Sequence, residues 1–326
     1  MALAGSFLRR GIGGSPDASP SRFRGDELKN KLSKYLQPMD FTSSVEKGIG
    51  YIDLSGALPD PSRNKEKLFL RNFSAADLYE IMKRVKLIDH LQMRGLTDIR
   101  VEIDIDDAYI HYLKLYHQDI NPDSILFDLR LSESRFVPDS RFFDDDSTTA
   151  YDMIVIEWLS AQNPFHTFSE SRPQLPGQKQ PGLGILNYCF EMMYIVAREV
   201  IKDGFLDIPD HVHGAVMYSK KFKFFDPAHE GALRAMMRDL HRYSLADISW
   251  GIITRTIIEE YKCEPQPYEP SEQVFPVSDR MRRYFNSKKY LSVYNKYYKR
   301  KRFRFEHEEM VKRRQKILES KSIVEI

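Results

Sequence analysis

Only two cysteines, Cys189 and Cys263, occur in 326 residues. That scarcity excludes a disulfide framework, a zinc ribbon and a CxxC redox pair. Both thiols are expected to be reduced, with Cys189 packed inside an apolar helical pattern. Long apolar runs are missing too: the longest are a few residues, far below the roughly 18 that read as a bilayer-spanning helix. Nothing resembles the apolar region of a signal peptide. These absences point to a soluble, cytoplasmic protein with no membrane partner. At 42% hydrophobic and 29% charged residues, the chain can bury one large core or two modest ones.

Net charge is also small, +2, but its distribution is uneven. From Arg280 to Arg304 there are eleven Lys or Arg and no Asp or Glu, with seven aromatics interleaved. Compensating acid sits upstream, in Asp144-Asp145-Asp146 and in the IDIDD stretch at 103–107. The triple aspartate reads as a solvated loop tip.

Periodicity and turn chemistry organise the rest. Residues 1–25 are rich in Gly, Ser, Pro and Arg and are expected to be disordered. Residues 26–69 read as a short amphipathic helix over 26–36 followed by a linker at 59–67. Ser74 as N-cap, Asp77 three residues on, and Leu78, Ile81, Met82 and Val85 at helical spacing predict a helix that stops at Gly95. Alternation predicts strands at 99–105, 125–131 and 153–159, with a short helical stretch around 107–118 between the first two. A helix at 185–203, a strand near 204–208, a helical turn at 211–220 and a strand at 221–225 follow. Residues 70–228 thus read as one α/β layer structure, 229–262 as a helical extension, and 263–326 as a proline-rich linker at 263–276 leading to a basic aromatic helical tail.

One stretch stands out. Residues 176–184 read PGQKQPGLG, three glycines and two prolines immediately ahead of the helix ILNYCFEMMYIVAREVIKDG. An ordinary turn-rich connection explains this composition. So does a backbone that must approach a phosphate, with unpaired amides and a helix dipole favouring negative charge. Further on, HVHGAVMYSKKFKFF places Gly214, Met217, Tyr218 and Phe222 in a helix-to-strand step.

The order of elements and these two motifs resemble the GNAT superfamily of acyl-CoA-dependent N-acyltransferases. In that family a central strand is followed by a loop of pattern Arg/Gln-x-x-Gly-x-Gly/Ala that binds the pyrophosphate of acetyl-CoA. Here the corresponding residues are Lys179, Gln180, Pro181, Gly182, Leu183 and Gly184, ahead of Ile185. Lys179 stands where Arg or Gln is usual, and Pro181 brings no amide. The second motif of the family is a helix carrying a Tyr that points at the CoA sulfur, matched by Tyr218. The resemblance covers roughly 70–226. It implies an α/β fold with a central mixed, mostly antiparallel sheet flanked by helices, to which this chain adds C-terminal helices.

The resemblance also implies a chemistry. An amine acceptor attacks the thioester of acetyl-CoA, or of another acyl-CoA, directly; Tyr218 protonates the leaving thiolate; Glu157 on the central strand is the candidate base. The cofactor-binding set is Lys179, Gln180, Gly182, Leu183, Gly184 and Ile185. Packing beneath Met217 and Phe222 also accounts for Tyr218, and an outward-facing strand position accounts for Glu157. His211 and His213 share a side if they lie on a strand and resemble a metal pair, but no third ligand follows at suitable spacing, so no metal is expected. His90, His111 and His117 fall on helical patterns and read as helix surface or satisfied core.

The basic tail supports a second class of function. Its aromatics recur at 290, 294, 297 and 298, close to a helical stripe, which favours a helix docked on the body, on a protein partner or on a second copy. Phosphate contact with base stacking by a nucleic acid is the less favoured partner. The alternative to an enzyme is a catalytically inactive GNAT-fold scaffold that binds through this tail.

Overall fold

A computed structural model describes residues 67–107, 109–143, 150–169 and 172–320, all within the unit Asn64–Ile326. The disordered segment expected at 1–25, the helix expected at 26–36 and the aspartates at 144–146 lie outside the described residues.

Two helices, α1 (Ala75–Arg84) and α2 (Leu87–Met93), open the described chain. Ser74 and Asp77 form the reciprocal cap anticipated from sequence, which satisfies two end amides at once. The single long helix expected up to Gly95 is broken at Lys86, whose φ of 67° is left-handed. Four strands follow: β1 (Ile99–Asp104), β2 (Ile110–His117), β3 (Ile125–Phe136) and β4 (Tyr151–Ala161). The helix expected around 107–118 is therefore a strand. β2 is paired along its length between β1 and β3, with Leu113 opposite both Ile103 and Leu129. Burying Leu113 and Leu115 on this ladder outweighs the local pattern, and it places His111 and His117 on a strand.

Next come α3 (Leu186–Glu199), β5 (Gly204–Asp207), α4 (Val212–Tyr218), β6 (Lys223–Phe224), α5 (Pro227–Asp239) and α6 (Leu245–Ile253). α4 forms within the helical turn expected at 211–220; His211 precedes it and His213 lies within it, so the pair does not share the side of a strand, and their rings stack at 5.1 Å. The chain ends with β7 (Ile257–Glu259), β8 (Glu264–Pro265), β9 (Gln273–Pro276), α7 (Asp279–Phe285), α8 (Lys288–Arg300), β10 (Phe303–Phe305) and α9 (His307–Leu318).

The main sheet is mixed and has seven strands in the order β1-β2-β3-β4-β5-β9-β6. Its one parallel pair is β4 with β5; the other pairs are antiparallel. A second sheet, β10-β7-β8, has three strands. The stretch expected to be a linker at 263–276 thus contributes β9, a strand inserted between β5 and β6. Gly204 makes room for it, since a Cβ there would lie 2.3 Å from the Phe275 carbonyl oxygen.

Helices cover both faces. On one, Phe205, Phe222 and Phe275 pack around Phe190 of α3. On the other, Tyr151, Met153, Leu206 and Val274 pack against Met281, Tyr284, Phe285 and Tyr290. The tail is docked through its aromatics: Tyr284 donates to the Phe225 carbonyl and Tyr290 to the Phe224 carbonyl, at 2.7 and 2.8 Å. Helix α8 lies so close to α5 that a Cβ at Gly231 would meet the Tyr294 carbonyl oxygen at 2.7 Å. Among the described residues no helix is long and apolar enough to cross a membrane.

Candidate active-site cleft

The parallel pairing of β4 and β5 lasts three residues, Met153–Val155 against Gly204–Leu206. Beyond it β4 continues to Ala161 while β5 stops at Asp207, so the strands part. The far end of the gap is closed by the glycine-rich loop. Asn163 donates its amide to the Pro181 carbonyl at 2.7 Å and Leu183 donates to the Ala161 carbonyl at 3.2 Å. Between these closures the edge of β4 from Ile156 to Ser160 has no ladder partner on the β5 side among the described residues.

Glu157 sits at this edge as the extra residue of a β-bulge, because Trp158 faces Arg130 and Ile156 faces Leu131. Bulges re-aim side chains and gather next to active sites. The Glu157 side chain is exposed and accepts a hydrogen bond from the Ser132 hydroxyl.

The loop leads into α3 without a cap. Ile185 at the N-cap position offers no side-chain acceptor, and the amides of Gly184, Ile185, Leu186 and Asn187 have no acceptor among the described residues. Gly184 has φ +69°, which a side-chain-bearing residue would adopt only with strain. Of the residues expected to grip a diphosphate, Leu183 has its amide committed to Ala161, whereas Gly182, Gly184 and Ile185 keep theirs. Lys179 is exposed and Gln180 half-buried.

Sequence reasoning missed Arg94 here. It follows α2, donates from Nη1 to the Leu183 carbonyl at 2.7 Å, and holds Nη2 3.5 Å from where a Gly184 Cβ would be. No carboxylate pairs with it among the described residues. A guanidinium with no carboxylate partner, beside four amides without acceptors, makes a positive patch suited to an anion. Next to it His90 shares a 3.3 Å hydrogen bond with the Tyr188 hydroxyl. Burial, with help from Arg94, lowers its pKa against the opposing Leu183 carbonyl, so it stays neutral and does not compete with that charge.

At the other lip stand Asp207 and Tyr218. Asp207 ends β5 on the face of Phe205, is nearly buried, and has its pKa pushed up to about 7 by burial and by Asp210, against the Ile208 amide. The Tyr218 ring stacks on Phe222 at 5.1 Å and meets Phe190 edge-on at 6.0 Å. Some of the residue's surface stays open, yet its phenol is enclosed enough that burial, then Asp207, then Cys189 raise its pKa well above the usual value. The hydroxyl has no hydrogen-bond partner among the described residues. Tyr218 and the α3 N-terminus therefore share one side of the sheet, while Glu157 lies farther along β4.

The sequence matches no protein-family model and no curated protein. What the cleft can do follows from its own groups. It offers a cationic patch at one end, a stretch of β4 backbone without a ladder partner along its wall, and at the other end a buried acid with its pKa pushed up to about 7 beside a phenol. Asp207 carries no motif; the available signal was its position in GFLD, two residues after Phe205 and so on the same face. Behind it His213, with its pKa pushed down to about 4 by burial and His211, shares a 2.9 Å hydrogen bond with Ser249. Among the described residues no group of three or more His, Cys, Asp or Glu is placed to hold a metal ion.

Proposed function

We propose that this chain is an acyl-CoA-dependent N-acyltransferase of GNAT type. The observation that carries the reading is the gap between β4 and β5, which opens toward the uncapped N-terminus of α3 and has Tyr218 beside it. A diphosphate would accept from the amides of Gly184 to Asn187 and pair with Arg94, while a pantetheine arm would hydrogen-bond to the unpaired edge of β4. The thioester would then lie toward Asp207 and Tyr218.

In the reaction the amine nitrogen attacks the thioester carbonyl, the C–N bond forms, and the C–S bond breaks. The proton lost by nitrogen goes to a carboxylate and the thiolate takes one from, or is hydrogen-bonded by, Tyr218. Asp207 suits the base better than Glu157, because a base poised near the working pH is the most effective and Glu157 is exposed and bonded to Ser132. The two residues are coupled: the charge of Asp207 raises the Tyr218 pKa, so protonating Asp207 makes the phenol a better donor as the thiolate appears.

Turnover tests this reading. Release of free thiol from acetyl-CoA in the presence of an amine panel is expected, and Tyr218→Phe lowers kcat about a hundredfold with little change in CoA affinity. An unchanged kcat in that variant removes Tyr218 from the mechanism.

A further inference from the structure

We propose that the outer face of α8 binds the sugar–phosphate backbone of a nucleic acid. This surface is separate from the cleft, and the inference does not depend on acyl transfer.

Docking of the tail sorts its residues by chemistry. Three of the four tyrosines of α8 face inward: Tyr290 is buried and hydrogen-bonded to β6, and Tyr294 stacks on Tyr298, which lies under Arg238. Rings held this way do not offer a platform for bases. The cations face outward. Lys288, Lys296, Lys299 and Arg300 are exposed, and none of them has a carboxylate partner among the described residues. With about 100° of rotation per residue, Lys288 and Lys299 fall within about 20° of each other and Lys296 and Arg300 lie about 80° and 120° from Lys288. The helix contains no Asp or Glu. Exposed Arg283 and Arg302 extend the charge past its two ends.

Among the described residues the buried carboxylates beside the helix are paired, and exposed Glu260 lies past its end, next to Arg302. Glu230 pairs with Arg234, Asp239 with Arg238, and Glu259 with Lys301. The result is a cationic stripe about 18 Å long at a rise of 1.5 Å per residue, enough to follow several phosphates of one strand. Its exposed large apolar groups are only Leu291 at 41% and Tyr297 at 36%. A protein interface needs an apolar centre, and a membrane-surface helix needs an apolar face free to insert; that face of α8 is packed on α5. Polyphosphate chemistry therefore fits best.

The test uses the full chain and fluorescent 30-nucleotide RNA and DNA, single- and double-stranded, with anisotropy read across a salt series. Four phosphate contacts give a slope of log affinity against log salt between about −2.8 for single strands and about −3.6 for duplex. The variant K288Q/K296Q/K299Q/R300Q is expected to lose about a hundredfold in affinity at low salt and most of the slope. The swap K288R/K296R/K299R/R300K keeps both. Because all four side chains are exposed, melting should not move; the milder K288Q/K299Q pair gives about half the loss in slope if the quadruple variant folds poorly. The proposal is overturned if the neutralised variants bind like the parent, if poly-glutamate or phosphatidylserine vesicles bind as tightly as nucleic acid, or if no salt-dependent binding is seen.

Discussion

Two aspartates bracket the same four-residue strand and are treated in opposite ways. Asp203, just before β5, is buried and fully partnered: Arg280 pairs with it, the Ser278 hydroxyl donates at 2.6 Å and the Asp152 amide at 2.8 Å. Despite burial, these partners hold its carboxyl below the usual range. Asp207, at the other end, is buried without a side-chain partner and titrates near 7. The first arrangement ties β4, β5 and α7 together. The second buries a carboxyl at the end of β5 with no cation to pair it, so its ionised form is penalised by burial and by Asp210. A buried carboxyl supported by the Ile208 amide but by no cation is costly to ionise, and that perturbation is why the proposed mechanism places its base there.

Substitution at each residue separates the two roles. Asp207→Asn should lower kcat/KM by roughly 10²- to 10⁴-fold in the thiol-release assay. In the parent, kcat/KM should rise with pH through about 7, because the base must be ionised, and a flat profile would remove Asp207 from that role. Asp203→Ala, by contrast, should destabilise the fold by about 3 kcal/mol in denaturant melts, because it takes a buried acceptor from the Arg280 guanidinium, the Ser278 hydroxyl and the Asp152 amide at once. For stability the signs are opposite. Asp203, with a depressed pKa, supports the fold above the ordinary carboxylate range and that support fades as pH falls. Asp207, with a raised pKa, penalises the fold as pH rises from about 4 toward 7. Asp207→Asn should therefore melt higher than the parent at pH 8, by about 1–2 kcal/mol, and equal stability would break the contrast. His213 adds an acid limit: charging it costs stability as pH falls from about 6.5 to about 4.

The smallest effect is expected at the anion end. Arg94→Gln should weaken CoA binding about tenfold, roughly 1.4 kcal/mol, by removing a charge-assisted contact while leaving the glycines in place.

Much of this architecture was legible from the amino acids, and the failures have physical causes. Ser74 with Asp77, the strands around 99, 125 and 153, and the α3 pattern are strong local signals, and each forms where expected. β2 was misread because its identity depends on two neighbours distant in sequence, the setting in which strand preference follows context. β9 was hidden by the prolines around it; it exists because Gly204 lets its backbone approach. The glycine loop was visible, but Arg94 comes from a helix about ninety residues earlier, and no spacing rule connects them. The basic block was visible as composition, and only packing showed which side its aromatics occupy.

Calorimetric titration of the full chain with acetyl-CoA bears most directly on the role assigned to the loop and the α3 N-terminus. Saturable heat at one site per chain, with Kd in the roughly micromolar to millimolar range usual for substrates and lost in Gly184→Val, is the predicted result. Absence of heat at millimolar ligand, or equal binding by Gly184→Val, would contradict it.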